Sequence, residues 1–326
     1  MNTLFIIGNG FDLNLNMPTS YHDFYKYYIL QKSSTRLIQK LKEEINGNIK
    51  NWSDLELALG QYTKNLSNSE EFNEVYNDIE DKLADYLELV EKKYDFSKVD
   101  GNKLFKYLVF PENSLPQADR NRISDFRQKW INHQWNIHII TFNYTRTLEK
   151  LLVFKGQPFG INEFYKHVNT QVILHKIEHI HGFYNERMVM GVNDVSQIAN
   201  NEFHNNLDII ETLVKSECNQ AQKHTIDDWC KNQIPNSHLI CIFGSSIGDT
   251  DNLWWELIGE HLKRNCRLII FEKVDPIPTR RPQKGKIAER KIKKYFLDKT
   301  KLSPDEKEVC EKNVFVGINT NMFEIL

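Results

Sequence analysis

The sequence predicts an α/β protein built on a mostly parallel sheet, and three observations carry that expectation. Leu4-Phe5-Ile6-Ile7 is an unbroken apolar run near the start of the chain, which suits a strand buried on both faces. Gly8 and Gly10 follow at once and mark a strand-to-helix turn. Further apolar runs of the same kind recur after residue 136, with helical patterns between several of them.

Composition narrows the classes. At 326 residues the chain suits one large domain or two, with ample room for a core. A net charge of −2 gives no global attraction to nucleic acid or to an anionic membrane surface, so neither is expected as a partner. Met1-Asn2-Thr3 lacks the positive start of a signal peptide, and no apolar run approaches a membrane span, so a cytoplasmic protein is expected. The five cysteines are scattered and include no C-x-x-C pair, so no structural metal is expected. Cys241 and Cys266 sit in apolar runs as small buried residues.

Taken in order, the first strand and its turn lead through Pro18-Thr19-Ser20 into an amphipathic segment, Tyr21 to Leu30. Residues 20–135 read as mostly helical, a helical insertion or lid placed after the first strand, while 1–19 and 136–326 carry the sheet. The clearest helix places Phe72, Val75, Tyr76, Ile79, Leu83, Tyr86, Leu87 and Val90 three and four apart. Ser53-Asp54-Leu55-Glu56 fits a capping box at the start of another. Strands are then expected at 137–141, 177–181, 238–243, 267–271 and 314–316, with a short one at 188–192.

Ligands of such sheets bind outside the carboxyl ends of the strands. Four ends carry polar or conformationally special residues: Gly8-Asn9-Gly10-Phe11-Asp12, Thr141-Phe142-Asn143-Tyr144-Thr145, His179-Ile180-His181-Gly182, and Gly244-Ser245-Ser246-Ile247-Gly248-Asp249-Thr250-Asp251. Each alone has a plain structural explanation. The first is an ordinary tight turn, Asn143 or Thr145 a helix cap, His181 a buried hydrogen-bonded histidine. Together on one edge they would converge on a single crevice. Gly8 and Gly10 would let the backbone approach a pyrophosphate and donate N–H groups to it. His175, His179 and His181 alternate as a metal face would, but no carboxylate cluster accompanies them. The basic run from Arg280 to Lys294 reads as a solvated helix face.

On these residues the chain resembles the bacteriophage abortive-infection AbiH family, which in turn is similar to the sirtuin-like NAD-binding fold, a Rossmann-like sheet. The sirtuin-like opening G-A-G-x-S followed by G-[IL]-P is matched by Gly8-Asn9-Gly10-Phe11-Asp12 and Asn16-Met17-Pro18. Asn16 stands where a glycine is usual, and Asn tolerates the left-handed backbone region. Asp12 replaces the serine. The T-x-N-[YI]-D segment is matched by 141–145, with Thr145 in place of the acid; the histidine before a glycine is matched by His181-Gly182, and G-[TSY]-S by 244–246.

The resemblance implies a phage-defence effector that binds NAD and hydrolyses its nicotinamide–ribose bond, with NAD as substrate or ligand and no metal. Asn143 and His181 are then the catalytic pair, and Gly8, Asn9, Gly10, Asp12, Gly244, Ser245, Ser246 and Asp251 bind the nucleotide, Asp251 towards the adenosine end. The zinc ribbon of the protein deacylases is missing, which turns the expectation from deacylation to NAD cleavage. Self-association and a phage-derived trigger are the other partners it brings into view. A non-hydrolytic sensor of NAD or ADP-ribose and a nucleic-acid-directed toxin are the competing readings.

Overall fold

A computed structural model describes residues 1–152, 161–165 and 170–326. The first apolar run forms β1 (Asn2–Ile7), and the turn after it opens a short helix, α1 (Gly10–Asn14). A long helical stretch follows: α2 (Tyr21–Tyr28), α3 (Arg36–Gly47), α4 (Leu55–Tyr62), α5 (Ser69–Lys93), α6 (Gly101–Val109) and α7 (Gln117–Arg127). The chain then returns to the sheet through β2 (Trp135–Thr141), α8 (Thr147–Leu151), β3 (Ile161–Tyr165) and β4 (Thr170–His179). After α9 (Leu207–Leu213), α10 (Lys215–Ala221) and α11 (Ile226–Asn236), strands and helices alternate. These are β5 (Leu239–Phe243), α12 (Asn252–Leu262), β6 (Arg267–Glu272), α13 (Gln283–Asp298), α14 (Pro304–Glu311) and β7 (Val314–Ile318).

The strands form one sheet in the order β3-β4-β2-β1-β5-β6-β7. All neighbours are parallel except β3, which runs antiparallel along the β4 edge. The expected α/β, Rossmann-like sheet is thus present, and β1 lies at its centre. Alternation along β1 explains why the run is wholly apolar: Phe5 and Ile7 enter one core and Leu4 and Ile6 the other.

The first core is covered by α6, α7 and the C-terminal residues Met322, Phe323 and Ile325; the second by α11, α12 and α13. The helical stretch after β1 is therefore not uniform. Its last part covers the sheet, whereas α2 to α5 build a third core with residues 188–214. Within α5, Phe72, Val75, Ile79, Leu83 and Leu87 all point into that third core, as their spacing requires.

Three local expectations change. Residues 188–192 are not a strand; only Val192 makes an isolated bridge, to Val214. The strand expected at 177–181 ends at His179, so His181 lies beyond it. In α4 the cap is Asp54, whose carboxylate accepts from Leu57 N–H at 3.0 Å, and Glu56 turns inward to a buried ion network instead of closing a capping box. A bulge in β4 between Leu174 and Ile177 breaks the alternation that would align the histidines. His175 stacks on His138 (centroids 4.3 Å apart), while His179 lies against Phe183.

Candidate functional site

Connections run from β1 outward through β2 to β4, then cross to β5 and run outward the other way. The reversal falls between β1 and β5, the switch point at which open α/β sheets leave a crevice. A crevice of about 810 Å³ opens there. Every strand end singled out in the sequence contributes to it: Gly8, Asn9, Gly10 and Asp12, Phe142 to Thr145, His181, and Gly244 to Ser246 with Gly248 to Asp251.

The glycines serve an approach between two loops. A Cβ on Gly8 would sit 2.6 Å from Gly244 O, and one on Gly10 2.4 Å from Gly244 Cα. Gly244 itself has φ +67°, with room for no side chain against Gly10. Gly8 N–H donates to Phe243 O (3.0 Å) and Gly10 N–H to Gly244 O (2.8 Å). Those N–H groups are thus committed within the protein, which corrects their expected role as phosphate donors: what the turn offers a ligand is a backbone floor without side chains. Asn9 secures the following turn, its Nδ2 donating to Thr19 O (2.9 Å) and its Oδ1 accepting from Thr19 Oγ1 (2.7 Å). Asn16 has φ +61°, as its choice in place of glycine suggests.

Asp12 is buried beneath this floor. Its Oδ2 accepts from Thr145 Oγ1 at 2.6 Å, and its Oδ1 has no hydrogen bond of good geometry. Burial raises its carboxyl to about 6, against the opposing pull of hydrogen bonding from Thr145, Thr147 and Asn143. Asn143 is also buried, and neither its Oδ1 nor its Nδ2 finds a hydrogen-bond partner of good geometry. Its backbone is held from behind. His179 Nδ1 lies 2.8 Å from Asn143 O, and His179 Nε2 2.6 Å from Glu149 Oε1. A carbonyl can only accept, so Nδ1 carries the proton of that contact.

His181 stacks on Phe142 (5.1 Å, 19°). Its Nε2 lies 3.1 Å from Asp251 Oδ1, close enough for an ion pair but misaligned for a hydrogen bond. Lys215 Nζ joins Asp251 Oδ1 (2.8 Å) to Glu56 Oε2 (2.8 Å), and Tyr144 OH donates to Glu56 Oε1 (2.9 Å). Despite burial, Lys215 and His181 hold the Asp251 carboxyl below the ordinary carboxylate range, and Asp251 with Glu56 keeps the Lys215 ammonium above its own. Asp251 therefore lies at the His181 end of the crevice, beside the expected catalytic histidine. Ser245 is half-buried, with its Oγ accepting from Ile247 N–H (3.2 Å), and Ser246 is exposed at the rim.

Glu56, Tyr144 and Lys215 carry much of this architecture, yet the sequence offered Glu56 only as a helix-start residue, Tyr144 only within the strand end 141–145, and Lys215 not at all. They come from three separate segments, and no local spacing links them. Among the described residues, no group of three or more His, Cys, Asp or Glu side chains is placed to hold a metal ion. No helix among them is long and apolar enough to cross a membrane.

Sheet order and switch point together define a Rossmann-like α/β protein with a crevice at the carboxyl edge of its strands. Within that class, the chain belongs to the bacteriophage abortive infection AbiH family, whose family model matches residues 4–272. The match takes in the crevice-lining strand ends from Gly8 to Glu272, and leaves out Thr320 and Met322 beyond β7. No curated protein matches the chain. Membership of the family carries a role in phage abortive infection.

Proposed function

We propose that the crevice binds NAD and cleaves its nicotinamide–ribose bond as the effector step of abortive infection. One observation carries this reading: Asp12 Oδ1, both amide atoms of Asn143 and His181 Nε2 are buried without good hydrogen bonds, and all three residues line the same crevice. Buried polar atoms are costly when unpaired, so a cluster of them is a site waiting for polar ligand atoms.

The cluster suits a ribose. The Asn143 amide can donate to one hydroxyl or water and accept from another. His181 can take a proton from a ribose hydroxyl or an attacking water, with Asp251 beside it to stabilise the imidazolium. Such general-base work contributes about 10²–10⁴-fold. The nicotinamide leaves without needing a proton, and the positive charge that builds on the ribose falls beside the Asp12 carboxylate, in an oxocarbenium-like transition state.

The likeness to sirtuin-like segments gains support from its two exceptions. Asp12 stands where that pattern has a hydroxyl and Thr145 where it has an acid, and here Thr145 Oγ1 donates to Asp12 Oδ2 at 2.6 Å. The two departures are one reciprocal exchange that keeps a hydroxyl–carboxylate pair in place. A second reading, a sensor that binds NAD without cutting it, draws on the His181–Asp251 contact, which keeps the ring beside a carboxylate that Lys215 already neutralises.

Release of nicotinamide from NAD by the purified protein, with phage-infected lysate added if it is silent, tests the reading. Asn143→Ala and His181→Ala should each lower turnover by about 100-fold or more, and the double variant should be scarcely slower than either. Unchanged turnover in His181→Ala would overturn the site. NAD binding without cleavage under every condition would favour the sensor.

A further inference from the structure

The crevice extends past the glycine floor to the far side of β5, where it is lined by Glu272, Lys273 and Tyr295. Strand register fixes this end. Ile7 pairs with Phe243, and Phe243 with Phe271, so Gly8, Gly244 and Glu272 stand level at the ends of three adjacent strands. Glu272 O accepts from Asn319 N–H (3.0 Å), which ties down the backbone there. Its carboxylate, half-buried in the crevice wall, has neither a hydrogen bond nor an ion pair among the described residues. Burial alone raises this carboxyl above its usual value, with no charged neighbour compensating. The adjacent cation, Lys273, also lines the crevice, where its Nζ donates to Asn14 Oδ1 (2.9 Å) instead of pairing with Glu272.

Distance decides what could meet it. Asn143 follows β2, and β2 lies three strand spacings from β6, roughly 14 Å. A nicotinamide ribose at Asn143 and His181 would be joined through its diphosphate, over the side-chain-free floor of Gly8, Gly10 and Gly244, to a second ribose at the β5–β6 end. A half-buried carboxylate without partners is an acceptor for two adjacent hydroxyls, and it repels a phosphate in their place.

We infer that the Glu272 carboxylate receives the 2′- and 3′-hydroxyls of the adenosine ribose and thereby restricts the crevice to dinucleotides without a 2′-phosphate. This specificity rests on the dinucleotide reading above. Glu272 stands outside the cleavage centre, and its substitution leaves the Asn143–His181 end intact.

Calorimetric titration of the full chain with ADP-ribose and with 2′-phospho-ADP-ribose tests it, because neither ligand carries the bond to be cut. The wild-type protein should bind ADP-ribose at least tenfold more tightly than the 2′-phosphate. Glu272→Gln, with an unchanged melting temperature as its check on folding, should shrink that ratio to threefold or less, chiefly by tightening the 2′-phosphate. A wild-type ratio near one, a preference for the 2′-phosphate (as an engaged Lys273 would give), or a ratio unchanged in Glu272→Gln would each overturn the inference while leaving the dinucleotide reading in place. Failure of the wild-type protein to bind either ligand would overturn both.

Discussion

The two walls of the crevice treat buried polar groups in opposite ways. Beyond His181, the charges of Asp251, Lys215 and Glu56 are linked at 2.8 Å, with Tyr144 OH closing the chain. Around Asp12 and Asn143, Asp12 Oδ1 and both Asn143 amide atoms are buried without hydrogen bonds of good geometry. The first wall is internally complete and holds a shape. The second is incomplete in the protein alone, and on the proposed function a ligand would complete it. A crevice built this way places rigidity and recognition in separate residues, so the two can be perturbed separately.

The largest expected effect lies in the complete wall. Lys215→Met removes the cation that Asp251 and Glu56 share and leaves two buried carboxylates facing each other. Breaking such a pair costs about 3–5 kcal/mol, and denaturant unfolding should show a loss of that size. A loss below about 1 kcal/mol would mean that water reaches the network and that the walls differ less than their geometry says.

Asp12 should give an intermediate effect that depends on pH. Its folded pKa, about 6, lies above the unfolded value near 3.8, so between these the folded state binds more protons than the unfolded one. Stability from this group therefore falls as pH rises from about 4 to 6, then stays flat, with a total cost on the order of 3 kcal/mol. Asp12→Asn removes the titration and keeps an acceptor for Thr145. Measured against the wild type, it should grow relatively more stable across that window. A difference independent of pH would show that Asp12 is solvated.

Asn143 should give the smallest change in stability and the opposite sign to Lys215. Asn143→Leu replaces orphaned amide atoms with apolar ones of similar size, so stability should hold or rise by about 1 kcal/mol, while ADP-ribose binding weakens in calorimetry. A variant that is destabilised by more than this would place the amide among the structural groups.

How much of this was legible in the sequence differs between the same two walls. Apolar runs revealed β1, β2, β5, β6 and β7 and the end of β4, because a strand buried on both faces has no polar position to hide, but not β3, an edge strand that has. Gly8, Gly10, Asn143, His181 and Gly244 stood out because strand ends before a turn are readable locally, and they do meet in one crevice. Glu56 was legible only as a helix-start residue, since its partners Lys215 and Tyr144 are 159 and 88 positions away. The closeness of Asp251 to His181 was not legible, because sequence order says nothing about which way the turn before α12 faces. The β4 bulge was invisible for a different reason: one extra residue changes the face of a histidine without changing any pattern around it.

The glycine contact has a consequence for how this chain can vary. Each of Gly8, Gly10 and Gly244 leaves vacant the space that the opposite loop's backbone fills. A first substitution at any of them must push the loops apart, and once they are apart the other two positions have lost the neighbour that constrained them. Their steric costs should therefore be strongly sub-additive, with only the left-handed strain of a side chain at Gly244 (φ +67°) left to add. Drift through this region then faces one steep step followed by a plateau, and the three glycines are kept or lost as a unit.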